Sequence, residues 1–221
     1  LDAMPLMGLL RPDGTRPGYE PDAAALVAER MGLALRWVPL EWSAFYPTLH
    51  AGTVDGIWCG QGITEYRRTL ADFTRPYAVF NESLVTRIES DVSSPEECAG
   101  LRIGAIANST NMALTETFPG VIPVAFDGAT DDVYGDMIAA TRSGEIDGFV
   151  DDDVVMIVLD ADPELRLAFT VETRNQWGIA VRHGEDELRG RLDEALGAII
   201  ADGSLEAVWT RHMPDLPWPL G

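Results

Sequence analysis

Three polar segments of this sequence follow strand-like runs, at the points where those runs end. They are Gly60-Gln61-Gly62 with Arg67, Asn108-Ser109-Thr110, and Asp151-Asp152-Asp153. In open α/β sheets ligands bind beyond the carboxyl ends of strands, so we expect these residues to carry the chemistry. The first two segments suit an anion and the third suits a cation. The sequence therefore predicts a ligand that carries both charges, such as an α-amino acid.

Each of these segments also has a purely structural interpretation. Arg67 could pair with Asp72 or face solvent, and Ser109 could do no more than cap a helix. One of the three aspartates could likewise cap the helix that follows them. Trp42, after a further strand-like run, could present an aromatic wall to a ligand or lie in the core.

The charge balance and the residue types exclude several functions. The chain has 221 residues, with 16 basic against 36 acidic side chains and a formal net charge of -20. A phosphate backbone or an anionic membrane surface would be repelled, so we expect no nucleic-acid partner. No lysine is present, which excludes Schiff bases and P-loop phosphate binding. Glu65 stands where a dinucleotide loop starting at Gly60 needs its third glycine.

Metal and disulfide chemistry are also not expected. Cys59 and Cys98 form no C-x-x-C pair, and the three histidines lie far apart without H-E-x-x-H spacing, so we predict no metal site and no cofactor. The two cysteines fall in different predicted lobes, and we expect free thiols. No apolar run approaches the roughly 20 residues that span a bilayer, and Leu1 opens no signal-peptide pattern, which is typical of a mature or trimmed soluble product.

Hydrophobic periodicity and glycine stops predict alternating strands and helices, and hence an α/β fold. The predicted helices are one from Pro21 to Gly32, one capped by Ser43 and closed by Gly52, and those over 110–117, 130–142, 154–159, 185–200 and 204–213. The predicted strands are 33–40, 54–59, 101–106, 122–126 and 146–150, with later strand-like segments at 83–88 and 177–182.

The chain contains a short self-similar stretch that indicates two lobes. Ala51-Gly52-Thr53-Val54-Asp55-Gly56-Ile57 and Ser143-Gly144-Glu145-Ile146-Asp147-Gly148-Phe149 both pair a helix-ending glycine with Asp-Gly and an apolar residue. We predict a discontinuous lobe 1 of residues 1–79 and 182–221. Lobe 2 is predicted over 80–181, including two hinge crossovers. Two lobes joined in this way form a cleft that closes on a ligand.

Several motifs resemble one known family. Gly18-Tyr19-Glu20-Pro21-Asp22 is similar to its helix entry, and Tyr46-Pro47-Thr48-Leu49 after Trp42 is similar to its aromatic-x-x-x-x-Pro-x-Leu segment. Thr64-Glu65-Tyr66-Arg67 followed by Asp72-Phe73-Thr74-Arg75-Pro76-Tyr77 resembles its most specific stretch. The family is the polar amino-acid-binding group of extracytoplasmic solute-binding proteins of ABC importers. The resemblance covers nearly the whole chain and implies the type II two-lobe fold, with a mixed sheet flanked by helices in each lobe and two crossover strands.

The resemblance also implies roles for individual residues. Arg67 matches the arginine that clamps the ligand carboxylate, helped by Ser109 and Thr110. Asp152 matches the aspartate that binds the ligand ammonium. The expected ligand-binding set is Arg67, Asp152, Trp42, Gly60, Gly62, Ser109, Thr110, Gln61 and Asn108. Trp42 matches the stacking aromatic and Gly60 a carbonyl that faces the ammonium, whereas Gly62 departs from the threonine or serine usual in the family.

We therefore expect a monomeric receptor, not an enzyme, that binds an amino acid or related zwitterion in its interlobe cleft and delivers it to an ABC permease. Its expected location is periplasmic or extracellular and attached to the membrane. Two alternatives remain open at this stage. The resemblance extends to dehydratases that act on prephenate or arogenate, in which one of Asp151 to Asp153 could serve as a general acid. The chain could also be the ligand-sensing module of a receptor.

Overall fold

The structure is a computed structural model that describes residues 4–127, 130, 132–159 and 161–221. The chain divides into two compact units, which we call the discontinuous unit (residues up to Val79 together with Asn175–Gly221) and the inserted unit (Phe80–Arg174). The chain passes from one unit to the other twice. The hinge role that the sequence assigns to these passages stays a prediction.

The helices and strands of the described chain alternate along much of its length. The α-helices are α1 Tyr19–Met31, α2 Phe45–His50, α3 Glu65–Arg68, α4 Thr110–Thr115, α5 Val133–Ser143, α6 Asp153–Met156, α7 Asp186–Ala201 and α8 Ser204–His212, with 3-10 turns at Trp42–Ala44, Pro95–Cys98 and Ile157–Leu159. The strands are β1 Gly56–Ile57, β2 Asp72–Phe73, β3 Ala78–Arg87, β4 Arg102–Ile106, β5 Ile122–Phe126, β6 Gly148–Asp152, β7 Leu165–Trp177 and β8 Ala180–Val181.

The discontinuous unit contains a small antiparallel sheet with the order β1-β8-β2. Gly56 and Asp72 both lie opposite Val181, so residues from three distant parts of the chain meet at one strand. Helices α1, α7 and α8 pack on one another. Beside the sheet lies a core cluster of Phe45, Leu49, Ile57, Ala71, Phe73 and Ala180. This sheet is the scaffold that carries the segment from Cys59 to Arg67.

The inserted unit is built on a five-stranded mixed sheet with the order β5-β4-β6-β3-β7. Strand β4 runs parallel to both β5 and β6, whereas β3 runs antiparallel to β6. Its core cluster contains Leu84, Cys98, Ile103, Phe118 and Val150. The β6 strand is central, and its carboxyl end carries Asp151 and Asp152. Cys59 and Cys98 are free thiols, as expected.

Helix α1 ends where the sequence predicts, before Gly32, but it begins at Tyr19, two residues before the predicted start at Pro21. Proline is tolerated in the first turn because the first amides of a helix have no intrahelical partner, and Pro21 lies there. Gly32 ends the helix with φ of 66°, and its N–H donates to the carbonyls of Ala28 and Glu29. Helices α7 and α8 and strand β5 likewise lie where they are predicted.

Two predictions in the first part of the chain are wrong. Residues 33–40 form no strand, although apolar and polar residues alternate there. Leu33, Leu35 and Val38 are between 38% and 49% exposed; alternation makes a strand only where a neighbouring strand supplies backbone partners. Ser43 does not cap a helix, because it lies inside a 3-10 turn that leads directly into α2.

Other predicted elements exist but differ in length. The predicted strand 54–59 is reduced to β1, and helix 110–117 ends two residues early as α4. Of predicted helix 130–142, α5 forms 133–143, and residue 131 lies outside the described residues. Strand 146–150 is displaced to 148–152, which places Asp151 and Asp152 within β6 rather than after it. Strand β7 was missed, although Leu165, Leu167, Phe169 and Val171 alternate with other residues there.

We predict that Gly18→Ala destabilises the fold strongly. Gly18 has φ of 128°, and a Cβ added there would lie 2.3 Å from the carbonyl oxygen of Leu6, which is backbone and cannot move aside. We expect the free energy of unfolding in urea to fall by more than about 2 kcal/mol. The matched control is Gly190→Ala in α7, where a Cβ meets nothing within 4 Å. That variant should gain roughly 0.5–1 kcal/mol from helix propensity. Equal effects of the two substitutions would contradict the packing described.

Candidate functional site

Arg67 is positioned by the short helix α3. The side-chain hydroxyl of Thr64 accepts the Arg67 backbone N–H at 3.1 Å, so Thr64 caps the helix and fixes the first turn. The spacing Thr-x-x-Arg places the arginine at the third helical position. From there its side chain can extend back over the loop that precedes the helix.

The Arg67 side chain is held inside the discontinuous unit. It is only 5% exposed, its Nη1 donates to the Gly62 carbonyl at 3.1 Å, and its Cζ lies 5.2 Å from the centroid of the Trp42 ring. Asp72, the alternative partner, instead accepts from His183 Nδ1 and from the Gly184 N–H. The interpretation of Arg67 as a solvent-facing arginine is wrong. Trp42 is half-buried, and the guanidinium covers its ring.

The loop 60–62 has an unusual backbone that is fixed by several bonds. Gly60 has φ of 61°, a conformation that favours glycine. Gln61 is fully buried, its Oε1 accepts from the Tyr46 hydroxyl at 3.0 Å, and its carbonyl accepts the Gly178 N–H at 3.0 Å. Gly62 forms a single antiparallel bridge to Trp177. The structure therefore brings Arg67, Trp42, Gly60, Gln61 and Gly62 together in one unit.

The segment 108–110 forms the start of α4 in the inserted unit. Ser109 is the N-cap, and its hydroxyl accepts the Met112 N–H at 3.1 Å and donates to the Ile106 carbonyl at 2.6 Å. The capping interpretation of Ser109 is thus confirmed, and its hydroxyl proton is already engaged. Asn108 takes φ of 59°, a conformation that asparagine tolerates, and Thr110 is half-buried. A ligand role for these three residues stays a prediction.

Asp152 lies at the carboxyl end of β6, opposite a second acid on β3. Glu82 pairs with Asp152 in the strand register, so their side chains share one face of the sheet. Asn111 of α4 donates to Asp152 Oδ1 at 2.8 Å and thereby joins the start of α4 to this strand end. Asp152 occupies the N-cap position of α6 without any side-chain capping bond, so it does not serve as a cap. Asp153 accepts instead from Asn81.

These carboxyl groups are buried close together, and that raises their pKa values. Burial, with a smaller contribution from the charge of Glu82, raises the pKa of Asp151 to about 7, although the hydrogen bond from the Asp152 N–H opposes the shift. Burial, followed by the charge of Asp151, holds the pKa of Asp152 well above its usual range. Burial also raises the pKa of Asp153. None of the ion pairs between described residues includes Asp151, Asp152 or Asp153. A bound cation would relieve this concentration of like charge.

Four residues that the sequence analysis did not assign to the site lie beside these two sets of site residues. They are Glu82 and Asn111 beside Asp152, and Tyr46 and Glu20 beside the loop 60–62. Asn111 directly follows a predicted site residue, which was an available signal. Glu82 could be found only from the register between β3 and β6, which no local pattern reveals.

Among the described residues, no group of three or more His, Cys, Asp or Glu side chains is arranged to hold a metal ion. Within the same part of the chain, no helix is both long and apolar enough to cross a bilayer.

Comparison with known proteins identifies the family. Residues 2–215 match the model of bacterial extracellular solute-binding proteins, family 3. The chain belongs to this family. The match includes residues of both units and is therefore not confined to one of them.

Two named relatives of this solute-binding protein are arginine-binding proteins. An L-arginine-binding protein of Pseudomonas aeruginosa is 26% identical over 222 residues, which cover 95% of this chain and 84% of the relative. ABC transporter arginine-binding protein 1 of Escherichia coli is 28% identical over 204 residues, with 89% and 82% coverage.

A solved structure establishes the fold class. An ancestral arginine-binding protein bound to arginine matches with a TM-score of 0.85 at 23% identity, covering 96% of this chain and 94% of the other. The predicted type II fold is confirmed by this likeness and by the family. At this identity the comparison supports the fold alone.

We predict that Asp151 makes stability depend on pH. Its pKa is raised from 3.8 to about 7 by burial, so its contribution to stability is complete near pH 4 and is lost as pH rises through about 7. Asparagine keeps the shape and does not titrate. The free energy of unfolding of Asp151→Asn, relative to wild type, should therefore rise with pH by up to about 1.4 kcal/mol per unit in this window.

Urea denaturation between pH 4 and 7.5 measures this dependence. The matched control is Asp147→Asn, because hydrogen bonds from Arg102 lower the pKa of Asp147. The difference in the free energy of unfolding between Asp147→Asn and wild type should stay constant above about pH 5, because that carboxyl is ionised there in both the folded and unfolded states. A flat difference for Asp151→Asn as well would contradict a raised pKa.

Proposed function

We propose that this protein binds an amino acid with a cationic side chain, outside the cytoplasmic membrane, and delivers it to an ABC permease. Arg67 binds the carboxylate of the ligand, and Trp42 lies beside that carboxylate. Asp152 binds the α-ammonium group. Glu82 and Asp151 complement the additional positive charge. One observation carries the proposal. Several buried carboxyl groups lie together at the end of β6, and Asp151 and Asp152 among them have no basic partner among the described residues.

The carboxylate-binding half of the proposal is supported by the state of Arg67. Arg67 is 5% exposed, and its Nη1 donates to the Gly62 carbonyl. A guanidinium carries five N–H donors in a planar fork whose geometry suits a carboxylate. Because Arg67 is held by the capped helix α3 and by Trp42, little side-chain freedom is lost when a ligand binds.

The cation-binding half is supported by electrostatics. Several carboxyl groups that share a buried place repel one another, and they take up protons unless a cation joins them. A guanidinium or ammonium group supplies that cation together with several hydrogen-bond donors. A neutral side chain such as that of glutamine would leave the extra carboxyl groups uncompensated.

The names of relatives agree with this ligand class. Two of them are described as binding arginine, and one of these is assigned to an ABC transporter. We also propose that the protein is a binding protein rather than an enzyme, since both of these relatives are named for binding. We propose in addition that it acts as a monomer. Recovery of unchanged L-arginine, prephenate and arogenate after long incubation with the protein would agree with this, and conversion of any of them would contradict it.

We predict that Arg67→Ala weakens the binding of L-arginine by at least about tenfold, because a charge-assisted bond to a carboxylate contributes about 1.5–3 kcal/mol. Titration calorimetry measures the dissociation constant. The control is Arg68→Ala, which removes the neighbouring exposed arginine of the same helix; its affinity should stay within about twofold of wild type. Unchanged affinity in Arg67→Ala would refute the role of Arg67.

We predict that Glu82→Gln reduces the preference of the protein for L-arginine over L-glutamine. The variant should lose about tenfold in affinity for L-arginine, because a charged partner is lost, but much less for L-glutamine. The ratio of the two dissociation constants is the readout. Glu116→Gln serves as the control, because it removes an exposed glutamate from the same unit. An equal loss for both ligands in Glu82→Gln would contradict charge selection by this residue.

A further inference from the structure

Glu20 is a buried carboxyl group in the discontinuous unit that the proposed function does not use. It lies in the first turn of α1, and the residue is 1% exposed. Burial raises the pKa of this carboxyl to about 8, even though Tyr77 and the Gly60 N–H both donate to it and lower the shift. Burial of a carboxyl group is unfavourable unless hydrogen bonds compensate it, so the hydrogen-bond partners of Glu20 show what it does.

The first partner is the backbone of the ligand loop. The Gly60 N–H donates to Glu20 Oε1 at 3.0 Å. Because a trans peptide points its N–H and C=O groups in opposite directions, this bond also directs the Cys59 carbonyl away from Glu20. The carboxyl therefore sets the orientation of the whole Cys59–Gly60 peptide. Gly60 then turns the chain with positive φ.

The second partner fixes the carboxyl itself. The Tyr77 hydroxyl lies 2.9 Å from Glu20 Oε1 and 3.0 Å from Oε2. The Tyr77 carbonyl in turn accepts from the Tyr19 hydroxyl at 2.7 Å, and the two rings stack. Glu20 is thus held by the Tyr77 hydroxyl, Tyr77 is restrained in turn by Tyr19, and both tyrosines are fully buried.

The other end of the loop is held by the arginine of the binding site. Gly62 accepts from Arg67 Nη1, and Gln61 is tied by its carbonyl to the Gly178 N–H. Glu20 at the beginning and Arg67 at the end therefore define the path of three residues between them. A change in the Gly60 peptide alters the place at which the Gly62 carbonyl meets Arg67.

We propose that Glu20 is a positioning residue of the binding site, which preorganises the loop 60–62 and Arg67 by accepting the Gly60 N–H. This inference rests on the proposed function, because it assumes that Arg67 binds the ligand. Glu20 touches no ligand itself. Its effect on affinity comes from a loop that needs no reordering when the ligand arrives.

Three variants separate positioning from a purely structural role. Glu20→Asp shortens the side chain by one methylene and withdraws the acceptor, so affinity for L-arginine should fall about tenfold. Glu20→Gln retains an amide oxygen for the Gly60 N–H and should stay within about threefold of wild type. Tyr77→Phe removes the hydroxyl from Glu20 but leaves the Gly60 bond, so it should lower stability while affinity is kept. Calorimetry gives affinity, and urea denaturation gives stability.

Hydrogen exchange of the Gly60 amide, followed by NMR without ligand, is the readout that reports the bond directly. Exchange should accelerate in Glu20→Asp and remain slow in Glu20→Gln. The proposal is overturned if Glu20→Asp binds as well as wild type, if Glu20→Gln binds as weakly as Glu20→Asp, or if affinity merely follows stability across the three variants. Should wild type bind no amino acid, the proposed function fails, whereas the exchange measurements still test the hold of Glu20 on the loop.

Discussion

The hydrogen bond from Arg67 to the Gly62 carbonyl is the interaction on which the discontinuous half of the site depends. It links a capped helix, a glycine loop and the Trp42 ring, so each restrains the others. A guanidinium without such restraints loses side-chain entropy whenever it binds. Here that loss occurs on folding. In the proposed function, the binding of a carboxylate then needs little further ordering, which is the general source of affinity in a preorganised site.

In the inserted unit, the corresponding feature is a set of buried carboxyl groups, in which Asp151 and Asp152 have no basic partner among the described residues. Buried carboxyl groups that lie close together are costly when ionised, because burial and their mutual repulsion both disfavour the charged form. Asp151 and Asp152 have raised pKa values for this reason. Interactions that are unfavourable for folding occur most often at functional sites. These unfavourable electrostatics are the reason why the proposed function places a cationic group of the ligand there.

The sequence predicted those parts of the fold and site that depend on local chemistry. Pro21 lies in the first turn of α1 and Gly32 ends it, as the glycine and proline signals predict. Asp152 lies at the end of a central strand, which the apolar run before it indicated to within two residues. The Thr64 cap of α3 was not predicted. Strand β7 was missed despite its alternation, and 33–40 was predicted as a strand because a pattern cannot say whether a partner exists. Glu82 and Glu20 act across strand register or tertiary contact. Such residues have no local signature, so only the three-dimensional arrangement identifies them.

The large negative charge of the chain is not what selects the ligand. Most of the 36 acidic residues are solvated, and their fields decay within about 8 Å at physiological ionic strength. They can speed the approach of a cation but cannot distinguish arginine from another cationic solute. Discrimination needs carboxyl groups at fixed positions in a medium of low dielectric, where each unpaired charge is costly. Glu82, Asp151 and Asp152 meet both conditions because two paired strands hold them. In the proposed function, selectivity therefore resides in the strand register of β3 and β6 and not in the overall composition.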